Sequence, residues 1–203
     1  MSNEQYPNGN DYEVMYLKYF CRSPLELIGL VKINKGDKIV DLCGGTGRLT
    51  KELLKLDCET TYVDVSTRMF LPELQDHVER IHMDAKTFFE WCDNKYNGVF
   101  CQQGVNYWLT EKTAELLAGV IVPGGFFVFN TFRECPPTYP MVNEYEIGDR
   151  KYVEVAWRVD GIVHHVQCCE GYAPHVTKFA YISPKQFREW LEPYFKLEEH
   201  VRG

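Results

Sequence analysis

Five short apolar runs pace the first two thirds of the chain: KIVDL (38–42), TTYVDV (60–65), ERIHM (79–83), GVFCQ (98–102) and FFVFNTF (126–132). Runs of this length bounded by turn residues read as buried strands, and RLTKELLKL, AKTFFEWC and the stretch from Thr110 to Val122 read as helices between them. A further helix is expected after TTYVDV, opened by Ser66. Strands that alternate with helices pair in parallel and are covered on both faces, so the expected fold class is α/β with a doubly wound, mostly parallel sheet. Ahead of the first strand, Ser23, Pro24, Leu25 and Glu26 have the pattern of a capping box with proline at the first helical position, which predicts a helix to about Lys32.

The rhythm breaks after Phe132. VNEYEI, KYVEVAWRV, IVHHVQCCE and VTKFAYI follow with no helix between them, and antiparallel pairing is the simplest reading. Asp160 and Gly161 form a two-residue turn signal, so position 159 should pair with 162, 157 with 164, 156 with 165 and 154 with 167. This register puts Val153, Val155, Trp157, Val159, Ile162, His164, Val166 and Cys168 on one face, expected to be core. Tyr152, Glu154, Ala156, Arg158, Val163, His165, Gln167 and Cys169 fall on the other, expected to be wet or to face a ligand. Ser183 to Gln186 is a second capping box, opening a helix to about Tyr194, and FKLEEHV (195–201) reads as a last strand. The organisation expected is one domain over 1–203, with N-terminal lid and helices over 12–33 and a small antiparallel cap insertion over 136–182, after the fifth strand.

The formal charge of -7, from 22 basic and 29 acidic residues, argues against a broad phosphate-binding surface and therefore against nucleic acid as partner. No stretch approaches the roughly 20 apolar residues of a membrane span, and the polar, acidic start is unlike a signal peptide. A cytoplasmic location is expected. The 8 cysteines include no CxxC pair, so they read as small buried hydrophobes and no metal site is expected.

The segment VDLCGGTGRLT (40–50) carries the chemistry. It places an acid near the end of the first strand and glycines in the turn that opens the next helix, where a ligand can approach the backbone closely. A dinucleotide-binding GxGxxG read from Gly45 would need a glycine where Thr50 stands. Asp41 beside the loop would repel a pyrophosphate and attract a ligand bearing an ammonium and a sulfonium.

In these residues the chain resembles the class I S-adenosylmethionine-dependent methyltransferases, of the small-molecule type, whose first motif is an acid, one residue and GxGxG. Here that motif is Asp41, Leu42, Cys43, Gly44, Gly45, Thr46 and Gly47, with Cys43 where the family has its first glycine. The resemblance continues through Asp64 in YVDVS, Asp84 in HMDAKTF, CQQGVNYWL, and FAYISPKQFREWLEPYFKLEE. It implies a Rossmann-like methyltransferase fold with S-adenosylmethionine as co-substrate, held by Asp41, Cys43, Gly45, Gly47, Asp64, Val65, Asp84, Ala85 and Gln102, with Tyr16 contributed by an N-terminal lid that also carries Tyr12 and Tyr19. Asp64 would accept the ribose hydroxyls, Asp84 the adenine amine, and Gln102 or Gln103 would lie near the methionyl part.

Methyl transfer from a sulfonium depends mainly on positioning. Where the acceptor arrives protonated a base is needed, and His165, on the polar hairpin face diagonal to Glu154 and Arg158, is the catalytic candidate. Tyr107, Trp108, Phe132 and Tyr139 are candidate walls for a small-molecule acceptor, N or O being the favoured acceptor atoms. A nicotinamide oxidoreductase, a nucleic-acid methyltransferase and a donor-binding subunit without catalysis are the competing readings, and a homo-oligomer is left open.

Overall fold

The computed structural model describes residues 9–16, 23–74, 77–131, 135–147 and 150–200, without the side chains of 14–16, 145 and 147. Strands β1 (Lys38–Leu42), β2 (Glu59–Asp64), β3 (Glu79–His82), β4 (Tyr96–Cys101) and β5 (Ile121–Phe129) form one sheet in the order β3-β2-β1-β4-β5. Every pairing in it is parallel. Helices α3 (Arg48–Leu54), α4 (Ala85–Trp91) and α5 (Glu111–Val120) connect strands, α1 (Gly9–Tyr16) and α2 (Pro24–Ile28) precede the sheet, and α6 (Pro184–Leu191) closes the fold.

Alternation along β1 divides the core between the two faces. Val40 and Leu42 join Val63, Val99, Phe88, Leu117 and Leu191 on one side, while Ile39 joins Phe100, Leu27, Leu49 and Leu53 on the other. Each such side chain contributes about 1.5–3 kcal/mol when taken from water. Both faces of the sheet are therefore fixed, and the carboxyl ends of β1, β2 and β4 are left as the edge on which loops can carry function.

Three expected local features are absent. Ser66 opens no α-helix: its N–H donates to Asp64 Oδ1 (2.7 Å) and its hydroxyl accepts from Arg68 N (3.2 Å), a local turn that competes with helix, and only a 3-10 turn at Pro72–Leu74 follows. At α2, Glu26 N–H goes to the Ser23 carbonyl and not to its hydroxyl, so no side-chain cap forms and the helix stops at Ile28. Of the strand expected over 195–201, the described residues 195–200 form none; Phe195 and Leu197 pack against the core cluster, Phe195 lying 6.4 Å from the Phe127 ring, so β5 is the last strand of this sheet among the described residues. The box at Ser183 is complete in both directions, Gln186 N–H to Ser183 Oγ at 3.2 Å and Ser183 N–H to Gln186 Oε1 at 3.0 Å.

A separate antiparallel sheet follows β5, in the order β6 (Met141–Ile147), β7 (Arg150–Val159), β8 (Ile162–Cys169) and β9 (His175–Ala180). Its hairpin has the expected register, Val159 with Ile162 and Glu154 with Gln167, around Asp160 (φ 49°) and Gly161 (φ 79°). The expected core face is wrong, however. Val159 and Ile162 are 49% and 39% exposed, whereas Tyr152, Ala156, Val163, Gln167 and Cys169 on the polar face are buried. The polar face is the one turned inward: Phe179, on that face across from Val163, packs on Tyr107, which follows β4.

Candidate functional site

The loop after β1 is held by its own residues. Asp41, 1% exposed at the end of β1, accepts both the N–H (2.9 Å) and the hydroxyl (2.6 Å) of Thr50 on Oδ2. Its Oδ1 has no hydrogen-bond partner among the described residues. Burial, opposed by the Thr50 bonds and reinforced by nearby Asp64, pushes the carboxyl up to about 6. Cys43 then takes a left-handed φ of 57°, which accounts for the glycine usual at this motif position. A Cβ on Gly44 would stand 2.5 Å from the Tyr62 ring, so the loop can lie on that ring only as glycine. Tyr62 is fully buried and its hydroxyl donates to the Gly45 carbonyl at 2.7 Å. Gly47 (φ 83°) ends the loop and opens α3.

Asp64 closes β2 across from this loop. Oδ2 accepts from Gly45 N (2.9 Å) and Oδ1 from Ser66 N (2.7 Å). Burial raises its pKa against those bonds. Asp41, Gly45, Gly47 and Asp64 are thus brought together at one edge. An orphaned buried carboxylate oxygen beside a glycine cradle fits a ligand that brings positive charge and an N–H donor, which is the chemistry of an amino-acid sulfonium.

The remaining expected donor contacts are more varied. Asp84 is exposed and caps α4, taking Thr87 N–H at 3.0 Å and its hydroxyl at 2.7 Å; the side-chain bond first among these holds its carboxyl below the usual range. Ala85 is buried at the start of α4, and Val65 is 39% exposed beyond Asp64. Gln102 follows β4 half-buried. Gln103 has a left-handed φ of 63°, and its N–H donates to Asn130 Oδ1 at 2.8 Å, so the segment after β5 shapes the turn after β4. Tyr16 ends α1, but its side chain, like Tyr19 and Phe132, lies outside the described residues.

The inner face of the antiparallel sheet supplies a second group. His165 Nε2 lies 2.5 Å from Glu154 Oε1, and both side chains are mostly buried. Burial would raise the Glu154 carboxyl, but His165, Asn143 and Gln167 together hold it below the usual range. On β9, His175 is 5% exposed, pushed down to about 4 by burial and by His165. Thr177, opposite His165, bonds Tyr107. Helix α1 spans both groups: the Tyr12 ring meets His175 edge-on at 6.0 Å, and Glu13 accepts the Thr46 hydroxyl at 2.6 Å.

The expected acceptor walls divide. Tyr107 faces the antiparallel sheet, but Trp108 packs with Phe89 and Phe127 and donates to Cys101 Sγ, and Tyr139 is 69% exposed. Thr50, Tyr62, Asn130 and His175 were not singled out from sequence. Thr50 had a visible signal, standing nine residues after Asp41 where a dinucleotide loop would have glycine. The others depend on contacts between distant segments.

Residues 40–129 match the family model described as a methyltransferase domain. No curated protein sequence matches the chain. Among solved structures, the chain is similar to an S-adenosylmethionine-dependent methyltransferase from Clostridium acetobutylicum (TM-score 0.67, 15% identity, 90% of this chain and 84% of that one). It is also similar to S-adenosylmethionine-bound CalS10, an amino pentose methyltransferase from Micromonospora echinaspora (0.63, 13%, 78% and 75%). A third is the sugar N-methyltransferase KedS8 from a Streptoalloteichus species (0.65, 13%, 91% and 83%). At these identities the likeness is one of fold.

Proposed function

We propose that the chain, whose residues 40–129 match a methyltransferase-domain model, is a class I S-adenosylmethionine-dependent methyltransferase and that it methylates a nitrogen or oxygen of a small molecule held between the carboxyl edge of the parallel sheet and the inner face of the antiparallel one. The observation that carries this reading is the Glu154–His165 pair, 2.5 Å apart on a polar face turned inward. Two of the solved structures described above are an amino pentose and a sugar N-methyltransferase, which supports an amine as acceptor.

S-adenosylmethionine is the co-substrate, and when bound it supplies an activated methyl group for in-line displacement. The residues of the chain hold and orient. Asp41 Oδ1 takes the ammonium, Gly45 and Gly47 let the backbone approach, and Asp64 accepts at the ribose. Cys43, Val65, Asp84, Ala85, Gln102 and Tyr16 complete the donor side. Asp84 does so from the start of α4, where Thr87 already anchors it. His165, oriented by Glu154, takes a proton from an acceptor that arrives protonated. Among the described residues no helix is long and apolar enough to cross a membrane, and a cytoplasmic location with a small-molecule partner, not nucleic acid, is part of this reading.

Incubating metabolite extracts with the protein and methyl-labelled donor, then locating the label by mass spectrometry, tests it. A labelled small molecule carrying N-methyl or O-methyl is expected. Label confined to nucleic acid, protein or carbon-methylated products overturns it.

A further inference from the structure

The inner face of the antiparallel sheet carries a row of hydrogen-bonding side chains that extends the polar hairpin face onto β6 and β9. Strand register aligns Asn143, Glu154, Gln167 and His175 in one line across β6, β7, β8 and β9. Neighbouring strands are about 4.8 Å apart, so the row presents four polar groups at that spacing. His165 and Thr177 lie beside it on the same face, two residues along their strands.

Gln167 is the unusual member. It is 6% exposed, its amide oxygen has no hydrogen-bond partner among the described residues, and its amide nitrogen has none of full geometry, acting on Glu154 only as a weak donor that helps hold that carboxyl low. Buried amide atoms are normally paired, because the water given up on burial must be replaced. One amide offers a donor and an acceptor side by side, which suits two adjacent groups on a ligand, one accepting and one donating. His175, next in the row, is neutral near pH 7, since its pKa lies at about 4. Beyond the single carboxylate of Glu154 the row is uncharged, and its regular spacing suits a molecule with several hydroxyl groups.

We propose that Gln167 determines acceptor specificity by gripping two vicinal hydroxyl groups of a polyhydroxylated methyl acceptor laid along the row Asn143, Glu154, Gln167 and His175. This rests on the reading that the inner face bounds the acceptor site. It places the selection of the acceptor on β8, two residues along the strand from His165, and apart from the donor loop.

The experiment uses the full chain with methyl-labelled donor and a metabolite extract. The labelled product is isolated and treated with periodate, which cleaves vicinal diols, and the purified acceptor is then assayed against Gln167→Leu and Asn143→Ala. Periodate should cleave the labelled product. Gln167→Leu should raise KM for the acceptor at least tenfold with donor affinity unchanged by calorimetry, since a site built to bond a hydroxyl loses that advantage when its partner is apolar. Asn143→Ala, at an exposed edge of the same row, should raise KM in the same direction and serves if Gln167→Leu does not fold. A labelled product that resists periodate, or an unchanged acceptor KM in the folded variants, overturns the inference while leaving a small-molecule methyltransferase intact. No labelled small molecule at all overturns the parent reading and this one with it.

Discussion

Thr50 gives both its backbone N–H and its hydroxyl to the same oxygen of Asp41, at 2.9 and 2.6 Å, and the other oxygen of that buried carboxylate has no hydrogen-bond partner among the described residues. The folded-state pKa of Asp41 is raised from 3.8 to about 6, so between those values the folded protein holds a proton that the unfolded chain has released. Lowering the pH from 6 towards 4 therefore adds stability to the ligand-free protein and weakens its hold on a cation. Affinity for S-adenosylmethionine should fall by about tenfold from pH 7 to pH 5 by linkage to this one group. In Asp41→Asn the affinity should be weaker and flat over the same range; calorimetry at several pH values, showing wild type flat as well, would remove Asp41 from the donor site.

Asp64 binds two backbone N–H groups besides any ligand. Asp64→Ala should cost about 1.5–3 kcal/mol of donor affinity, the range for hydrogen bonds to a charged group, and should also lower the melting temperature because Gly45 and Ser66 lose their acceptor. Unchanged affinity in the folded variant contradicts the ribose assignment.

The first motif contains a strain that can be measured. Cys43 has φ 57°, and a Cβ on Gly104 would stand 2.5 Å from the Cys43 Cβ and 3.0 Å from Cys101 Sγ. Gly104→Ala should destabilise the fold, by about 1–3 kcal/mol as for other overpacked sites. Cys43→Gly relieves a left-handed backbone and vacates that space, so Gly104→Ala should cost less in its presence. Denaturant titration of the two single variants and the double variant gives the coupling, and strictly additive effects refute the shared contact.

His165→Ala should lower kcat while donor affinity stays within a factor of about two, because on the proposed reading the acceptor and not the donor meets that face. Glu154→Gln should lower kcat in the same direction, since it removes the charge that orients the imidazole. If donor affinity falls as far as kcat, the pair acts through the fold and not on the acceptor.

How much of this could be read from sequence depended on the range of the deciding interaction. KIVDL is a strand over the expected residues, and the Asp160–Gly161 hairpin has the expected register, because both are set by neighbours along the chain. Ser66 was misread since its preference for a helix start lost to a bond with Asp64, two residues back. The core face of the antiparallel sheet was misassigned for a different reason. Period-two alternation separates Val155 and Trp157 from Glu154 and Ala156, but which set is buried depends on where the parallel sheet lies. Apolar content assigned the core to the set that is the more exposed, while the set expected to be wet or to face a ligand is the one turned inward. Asp41 and Asp64 were singled out through the resemblance of their motifs, and the structure places both beside the glycine loop; Tyr62, Asn130 and His175 make contacts across distances of sequence that no local pattern encodes.

Helix α1 touches the Thr46 hydroxyl through Glu13 and the His175 ring through Tyr12. Because these two are consecutive residues of one helix, the glycine loop after β1 and the inner face of the antiparallel sheet are fastened to the same short segment of chain. On the proposed reading, displacing α1 would loosen the border of the donor and that of the acceptor in one step.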